Sequence, residues 1–141
     1  MNIRFETFNS LKQPMVDIRT TVFVLEQGFK EEFDQDDNNC IQVLMFDGDK
    51  PIGTCRSLFS KEHNCQVIGR FAIYKEYRGQ HLGEKMMSYM EQILLERFGH
   101  IKVGVSAQIE ASGFYSKCGY KKTEERYLDQ NHPHVFMYKN L

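Results

Sequence analysis

The feature that most restricts the fold of this chain is a strand-like segment that passes through a glycine-containing turn into a long helix. The segment CQVIGRFAIY, residues 65–74, is mostly apolar and indicates a strand. The turn YRGQHLG, residues 77–83, follows it. An apolar face then recurs at helical spacing and predicts a helix that ends near Gly99, with the face residues Leu82, Met86, Met90, Ile93 and Leu94.

The turn has the physical parts of a diphosphate-binding site. A helix N-terminus presents unpaired N–H groups and about half a positive charge, and glycines before it let a phosphate approach the backbone. Arg78 adds a fixed positive charge. On this stretch alone, a plain helix-capping turn explains the residues equally well. The stretch lacks the Gly-Lys-Ser/Thr end of a Walker A loop and the G-x-G-x-x-G of dinucleotide folds.

The remaining segments predict a mixed α/β fold. Residues 2–8 alternate as a strand, and a helix follows that ends before Gly28 and has an apolar face formed by Met15, Ile18, Val22 and Leu25. A short helix is predicted over 109–119, and further strands over 40–46, 51–59, 101–107, 120–128 and 134–141. This order predicts one domain, residues 1–141, with a single mixed central sheet of about six or seven strands flanked by helices.

Composition limits the function classes. The chain has 141 residues, of which 41% are hydrophobic and 26% charged, and its formal net charge is -1. No overall positive field therefore draws it to nucleic acid or to an anionic membrane. No apolar run approaches the roughly 20 residues of a membrane span, and the first residues lack the apolar core of a signal peptide. We expect a cytoplasmic protein with four reduced thiols, at Cys40, Cys55, Cys65 and Cys118.

Two metal-like patterns fail on spacing. The acidic loop of residues 29–39 contains DQDDNN, but an EF-hand counted from Asp34 needs Gly at its sixth position and Glu at its twelfth, where the chain has Asn39 and Met45. His132 and His134 lie two residues apart, and a zinc site needs more ligands than this segment supplies. We therefore expect no metal, and a solvated acidic loop that could attract a cationic amine.

Four separated motifs resemble the GNAT N-acetyltransferase superfamily, and the resemblance extends over nearly the whole chain. RGQHLG, residues 78–83, resembles its motif A, R/Q-x-x-G-x-G/A, with His81 at the usual first glycine; a positive φ there would strain a histidine. IEASGFYSKCGY, from residue 109, resembles A-x-x-F-Y-x-x-x-G-F/Y. RTTVFVLEQGFKEEFDQDD, from residue 19, and DQNHPHVFMYKNL, from residue 129, resemble the ElaA-like and YjcF-like branch.

The resemblance implies acetyl-CoA as the acetyl donor. Its pantetheine arm would pair with the backbone of Phe71, Ala72 and Ile73 as an added strand does, although these residues could also be ordinary core. Ser112 would contact the same cofactor. The diphosphate would rest on the turn formed by Arg78, Gly79, Gln80, His81, Leu82 and Gly83.

The resemblance also implies the catalytic groups. Tyr115 matches the family's tyrosine, which gives a proton or a hydrogen bond to the departing thiolate; without the resemblance, Tyr115 would be a packed aromatic residue. An amine with a pKa of about 10.4 is mostly protonated at pH 7, so a base is expected. Glu26 and His134 rank above Glu32 and Asp34 for that role.

The acceptor contacts expected from the sequence are Gln27, Arg70 and Asp34. Gln27 could orient the acceptor by hydrogen bonds, and Arg70 either faces the cleft or balances the acidic loop. The acidic loop that contains Asp34 could attract the cationic amine.

The resulting prediction is an acetyl-CoA-dependent N-acetyltransferase that acts on a primary amine of a small molecule by direct attack in a ternary complex. The main alternative is a non-catalytic sensor that holds acyl-CoA and reports it to a partner protein. A third and weaker alternative is a nucleotide-phosphate protein of another fold. A sheet edge near the C-terminus could pair two copies as a homodimer.

Overall fold

A computed structural model describes residues 1–30 and 33–141 of the chain. The strands are β1 (Ile3–Phe8), β2 (Ile41–Asp47), β3 (Lys50–Ser60), β4 (Cys65–Ile73), β5 (Lys102–Gln108), β6 (Lys121–Asp129) and β7 (His132–Asn140). The helices are α1 (Gln13–Arg19), which continues as a π-helix (Thr20–Glu26), α2 (Leu82–Phe98) and α3 (Ser112–Lys117). Short 3-10 turns occur at Gln35–Asn38, Lys75–Tyr77 and Ile109–Ala111.

The strands form one seven-stranded mixed sheet in the order β1-β2-β3-β4-β5-β7-β6. Only β4 and β5 are parallel among the pairs of the described chain, and α2 is the crossover that joins them. The predicted fold is therefore confirmed. The last strand of the chain, β7, lies inside the sheet between β5 and β6. The sheet edge on that side is therefore formed by β6.

The parallel strands β4 and β5 separate after a short paired stretch. Their pairing ends at Ile68 and Val105, although both strands continue for several residues. On its other side β4 has a bulge, where Arg70 and Phe71 lie opposite a single residue of β3. Arg70 has a φ of 49°, a left-handed conformation that residues other than glycine rarely adopt. Because a bulge bends its strand, a gap opens between the facing edges of β4 and β5.

Each side of the sheet carries an apolar layer. The predicted face of α2 is buried on one side, through Leu82, Met86, Met90 and Leu94. On the other side α1 and the π-helix bury Met15, Ile18 and Val22 against β2 and β4. Burying a side chain of this size stabilises the fold by about 1.5–3 kcal/mol relative to leaving it exposed.

The first helix corrects one expectation from the sequence. Leu25 was predicted on the same apolar face as Val22, but it is 75% exposed. The reason is that residues 20–26 form a π-helix, whose i→i+5 turn is wider than an α-helical turn. Each residue therefore advances by a smaller angle around the axis, and position 25 leaves the buried face. Gly28, with a φ of 78°, follows the end of this helix as predicted.

A buried ion network anchors the acidic loop to the sheet. Asp37 accepts hydrogen bonds from Arg19 at 2.8 and 3.1 Å and from Arg56 at 2.8 Å. Asp34 accepts from Arg56 at 2.8 and 3.1 Å. Burial opposes ionisation of Asp37, but the bonds from the two arginines outweigh it and hold the pKa of this carboxyl well below its usual range. The loop is thus held in place by charge pairing as well as by packing.

In the described part of the chain, no helix combines the length and the apolar character that crossing a membrane requires. The four cysteines are free thiols, as expected from the sequence, and Cys40, Cys55 and Cys65 are buried.

Candidate active site

A cavity of about 400 Å³ lies where β4 and β5 separate. Alternate residues of β3, β5 and β7 form its floor on the α1 side of the sheet, among them Arg56, Ser106 and His134. The end of the π-helix contributes Gln27, and α3 contributes Tyr115 from the far side of the gap. The cavity therefore joins the two sides of the sheet at the point where the strands diverge.

Tyr115 lies in an aromatic cluster at the gap. Its ring packs edge-on against Phe71 and Tyr120, with ring centroids 6.3 Å away in each case, and against Phe114 at 5.1 Å. Burial raises the pKa of Tyr115 above its ordinary value, so the phenol stays protonated at neutral pH. None of the described residues forms a hydrogen bond with its hydroxyl. The hydroxyl is therefore available as a donor to a ligand in the cavity.

His134 lines the same cavity and is only 5% exposed. Its Nδ1 lies 2.7 Å from the carbonyl oxygen of His132. Because a carbonyl can only accept, Nδ1 carries a proton and donates it, so Nε2 is the ring nitrogen that holds the lone pair in the uncharged tautomer. Tyr127 stacks on the ring with centroids 5.8 Å apart and an interplanar angle of 17°. The structure thus brings a proton acceptor and the Tyr115 donor to one cavity.

The turn between β4 and α2 presents free backbone donors. In the described chain, no backbone acceptor takes the N–H groups of residues 79–83. Gly79 has a φ of 77°, and a Cβ there would meet nothing within 4 Å, so the space above the backbone is open. The side-chain amide of Gln80 donates a hydrogen bond to the backbone carbonyl of Glu76, at 3.4 Å. Free N–H groups at the start of a 17-residue helix are a favourable site for an anion.

His81 stands at the N-cap of α2 in a left-handed conformation, with a φ of 62° and a ψ of 16°. The sequence left open whether the backbone at this position would be helical or would have a positive φ that strains a histidine. In the structure the φ is positive, so the backbone is strained. The side chain is 84% exposed, and its Nδ1 lies 2.9 Å from Glu84. The ring is therefore outside the core and is held at the surface by Glu84.

Gly83 lets the start of α2 lie against α3. A Cβ at this position would lie 2.9 Å from Cε1 and 3.1 Å from Cζ of Phe114. Leu82 beside it is 2% exposed and holds the first turn of α2 in the core. The second glycine of the motif is therefore required by packing, whereas Gly79 is required by its backbone conformation.

The expected pantetheine-binding strand is fixed by side chains on alternate sides of the sheet. Phe71 packs on Phe114 with centroids 5.3 Å apart, Ala72 is buried beneath α1, and Ile73 belongs to the layer under α2. Ser112 is buried, and its hydroxyl donates to the carbonyl of Ile109 at 2.8 Å. Its hydroxyl is thus already bonded within the protein, while Phe71–Ile73 offer backbone along the gap.

Glu26 and Arg78 form an ion pair that the sequence analysis did not foresee. Arg78 Nη1 and Nη2 lie 2.9 and 3.2 Å from the two oxygens of Glu26, and Arg78 Nε donates to the carbonyl of Ile73 at 2.9 Å. Glu26 does not line the cavity that holds Tyr115 and His134. The structure therefore brings the predicted base Glu26 to the predicted phosphate contact Arg78 instead of to the other catalytic candidates.

The expected acceptor contacts divide into two groups. Gln27 and Arg70 line the cavity, where Gln27 accepts a hydrogen bond from Gln108 at 2.8 Å. Asp34 instead bonds Arg56, and its Oδ2 lies 3.4 Å from Arg70. The hydrogen bond from Arg56 lowers the pKa of Asp34, which makes this carboxylate a poor base. Glu32 lies outside the described residues.

Several cavity residues escaped the sequence analysis. Glu62, His63 and Glu125 bring their ligand atoms within 4.8 Å of one another, and Glu62 and His63 line the cavity. His63 Nε2 lies 2.9 Å from Glu125, and its ring stacks on Phe136 at 3.8 Å. These residues come from β3–β4 and β6, which are distant in sequence, so no local motif could have found them. The cluster is explained as a histidine whose Nε2 is hydrogen-bonded to the Glu125 carboxylate.

The divergent parallel pair, the turn of free N–H groups and the enclosed tyrosine define a class of protein, the acyltransferases with the GNAT fold. A family model described as "Acetyltransferase (GNAT) domain" matches residues 13–141. The chain belongs to this GNAT acetyltransferase family, within the branch that contains ElaA and YjcF.

Curated relatives match over most of their length. The Bacillus subtilis protein YyaT is 32% identical to this chain, and the match covers 100% of this chain and 97% of YyaT. The B. subtilis "uncharacterized N-acetyltransferase YjcF" is 30% identical, and the match covers 87% of this chain and 88% of YjcF. The crystal structure of Escherichia coli ElaA superposes with a TM-score of 0.86 at 24% identity, over 97% and 99% of the two chains. A B. subtilis acetyltransferase solved in complex with CoA has a TM-score of 0.73 at 15% identity, over 99% of each chain, and so shares the fold.

Proposed function

We propose that this protein transfers an acetyl group from acetyl-CoA to a primary amine of a small molecule, by direct attack in a ternary complex. The observation that carries the proposal is the single cavity at the β4–β5 gap, lined by the free Tyr115 hydroxyl and by His134. A donor and an acceptor of protons at one site are what amide formation from a thioester needs. The acetyltransferases of the family and the CoA complex of a protein with the same fold support the choice of donor.

The residues present fit acetyl-CoA. When bound, this cosubstrate would supply the thioester whose acetyl group is transferred. The free N–H groups of residues 79–83 and the positive end of the α2 dipole would bind its diphosphate. The backbone of Phe71–Ile73, at the edge that β5 leaves, would pair with the amide groups of its pantetheine arm, as an added strand does.

The reaction uses His134 and Tyr115 in sequence. His134 Nε2 takes a proton from the acceptor nitrogen, directly or through one water, because its lone pair is the free one. The nitrogen forms a bond to the thioester carbon, and the bond from carbon to sulfur breaks. Tyr115 donates its hydrogen bond or proton to the departing sulfur, which would otherwise leave as an unsolvated thiolate. The amine that attacks is uncharged, and it loses one proton to His134. That proton passes through solvent to the Tyr115 phenolate, which has protonated the departing sulfur, or to the sulfur itself. The products are therefore an amide and free CoA, and both side chains return to their starting protonation states.

Direct attack is favoured over an acyl-enzyme by the state of the two thiols that lie close to Tyr115. Cys118 lies three residues after Tyr115. Burial raises its pKa to about 11, so its sulfur is protonated at neutral pH and is a weak nucleophile. Burial likewise raises the pKa of Cys55, the other thiol that lies close to Tyr115.

The cavity favours a small amine with an apolar body. Its walls include the rings of Phe23, Phe29 and Tyr127, and the carboxylates of Glu62 and Asp129 lie among its lining residues. Aromatic faces bind apolar groups and attract cations. Arg56, also in the lining, is already paired with Asp34 and Asp37. We therefore assign the acceptor to the amines and not to the alcohols.

The test combines binding and turnover on the same protein. Calorimetry with CoA should show saturable binding, and release of free thiol from acetyl-CoA should depend on an added amine. A panel of aliphatic and aromatic primary amines, with the matched alcohols as controls, identifies the acceptor class. Tight CoA binding without turnover on any acceptor would favour the non-catalytic sensor. No binding of CoA at millimolar concentration would refute both functions.

A further inference from the structure

The pair of Glu26 and Arg78 joins three elements at the mouth of the cavity. Glu26 is the last residue of the π-helix, Arg78 opens the phosphate-binding turn, and the Ile73 carbonyl ends β4. The Arg78 guanidinium bonds the other two elements, at distances of 2.9 Å to Ile73 and of 2.9 and 3.2 Å to Glu26. We infer that Glu26 is a positioning residue of the CoA site, which holds the phosphate-binding turn in place through Arg78, and that it is not the catalytic base. This inference rests on the proposed function.

The geometry of the pair explains why it fixes the turn. A carboxylate that accepts from both Nη atoms meets the guanidinium as a fork, which restricts its orientation more than a single contact does. The third bond, from Nε to Ile73, ties the same plane to the strand that would bind pantetheine. A free arginine side chain has a large rotamer entropy that would be lost when a phosphate binds. The pair removes part of that loss in advance because it orders the side chain in the free protein.

Arg78 keeps donors for a ligand while it is tied. A guanidinium has five N–H donors, and three of them are used by Glu26 and Ile73. The remaining two can bind a phosphate oxygen without breaking the pair. Binding of CoA is therefore compatible with an intact pair, and Glu26 need not compete with the diphosphate for Arg78.

Two observations separate Glu26 from the role of base. Both of its carboxylate oxygens already accept from Arg78, so taking up an amine proton would neutralise the carboxylate and weaken this charge-assisted pair. It is also absent from the residues that line the cavity, whereas its neighbour Gln27 is present. Because Gln27 follows Glu26 directly, loosening the pair should also loosen one wall of the acceptor site.

The test replaces Glu26 and measures CoA affinity and turnover separately. Glu26→Ala should weaken CoA binding about 3- to 10-fold, a modest change because both side chains are partly exposed and solvent screens the pair. At saturating CoA and acceptor, kcat and its pH profile should match the wild type. Glu26→Gln should restore part of the affinity, since its carbonyl still accepts from Arg78. In an Arg78→Ala background, Glu26→Ala should change the affinity no further.

A control variant distinguishes positioning from charge. Glu84 lies in the first turn of α2, directly after the phosphate-binding turn. Its carboxylate lies 2.9 Å from Nδ1 of His81 and does not bond Arg78. Glu84→Gln removes one negative charge near the diphosphate and should leave CoA binding equal or tighter. If Glu26→Ala also tightened binding or left it unchanged, the pair would compete with the ligand or be irrelevant to it, and the inference would be wrong.

The outcomes separate this inference from the function on which it rests. If the wild type binds no CoA, the proposed function fails and the positioning role fails with it. If the wild type binds CoA and Glu26→Ala loses kcat with an altered pH profile at unchanged affinity, Glu26 is the base and only the inference is refuted. Thermal unfolding of each variant confirms that it is folded, and Glu26→Gln supplies the comparison if Glu26→Ala is unstable.

Discussion

Replacement of Tyr115 by phenylalanine tests the catalytic proposal directly. The ring would keep its contacts with Phe71, Phe114 and Tyr120, and only the hydroxyl would be lost. Because none of the described residues bonds that hydroxyl, its removal leaves no protein group without a partner. We therefore expect the free energy of unfolding to stay within about 0.5 kcal/mol of the wild type and the CoA dissociation constant to change less than about twofold.

The expected loss in turnover follows from the hydrogen bond to the departing sulfur. A hydrogen bond to a charged group contributes about 1.5–3 kcal/mol, and each 1.4 kcal/mol or so is a tenfold change in rate. Tyr115→Phe should therefore lower kcat by roughly 10- to 150-fold. The assay is release of free thiol at saturating acetyl-CoA and amine, with calorimetry for CoA binding on the same preparation.

A second tyrosine of the same cluster provides the control. The Tyr120 hydroxyl donates to Glu91 at 2.8 Å, so Tyr120→Phe should lower stability by about 1–3 kcal/mol and leave kcat nearly unchanged. If Tyr115→Phe retains full kcat, the hydroxyl does not assist the leaving group and the mechanism is wrong. If it loses CoA affinity with kcat intact, Tyr115 binds the cofactor and has no part in the chemical step.

Three further substitutions follow from the structure. Cys118→Ala should keep turnover within about twofold of the wild type in the thiol-release assay, because burial holds this thiol protonated; complete loss would indicate a covalent intermediate. Gly83→Ala should lower the stability measured by thermal unfolding by about 1–3 kcal/mol and weaken CoA binding, since its Cβ would lie 2.9 Å from Phe114; Gly113→Ala, where a Cβ meets nothing within 4 Å, is the neutral control. Asp37→Asn should destabilise the fold by about 3–5 kcal/mol at pH 7, because it leaves the buried Arg19 without its carboxylate. The pKa of Asp37 in the folded protein lies below the ordinary value. The stability that its carboxylate contributes is therefore fully present above about pH 4 and is lost as the pH falls further. Denaturant unfolding should show that the free energy of unfolding changes less between pH 7 and pH 3 in Asp37→Asn than in the wild type.

The elements that periodicity controls were predictable from the sequence. The α2 pattern predicted its buried face and its end near Gly99, and both are confirmed. The exposed Leu25 was not predictable, because a π-helix has no distinct apolar period of its own and depends on how α1 packs on the sheet. The backbone parts of the candidate site, residues 71–73 and 79–83, could be named from the sequence because they lie within continuous motifs.

The side-chain parts of the candidate site were found less completely, because they come together only in the folded chain. The pair of Glu26 and Arg78 spans 52 positions, and the contact of His63 with Glu125 spans 62. A single sequence contains no signal for either contact. The sequence analysis named His134 only because a family motif pointed to it, and the hydrogen bond that sets its tautomer became visible in the structure alone.

The two parts of the proposed site, the turn of residues 79–83 and the cavity, differ in what they demand of the sequence. The proposed CoA-binding turn offers mostly backbone, so many side chains are compatible with it as long as glycines keep the approach open at Gly79 and the packing close at Gly83. The acceptor half consists of side chains from distant segments, such as Glu62, Tyr127 and Asp129. Substitutions there would alter shape and charge without disturbing the turn of residues 79–83. Under the proposed function, the shared fold would therefore preserve acyl transfer across the family, while the choice of acceptor would depend on these few side chains and must be determined for each chain.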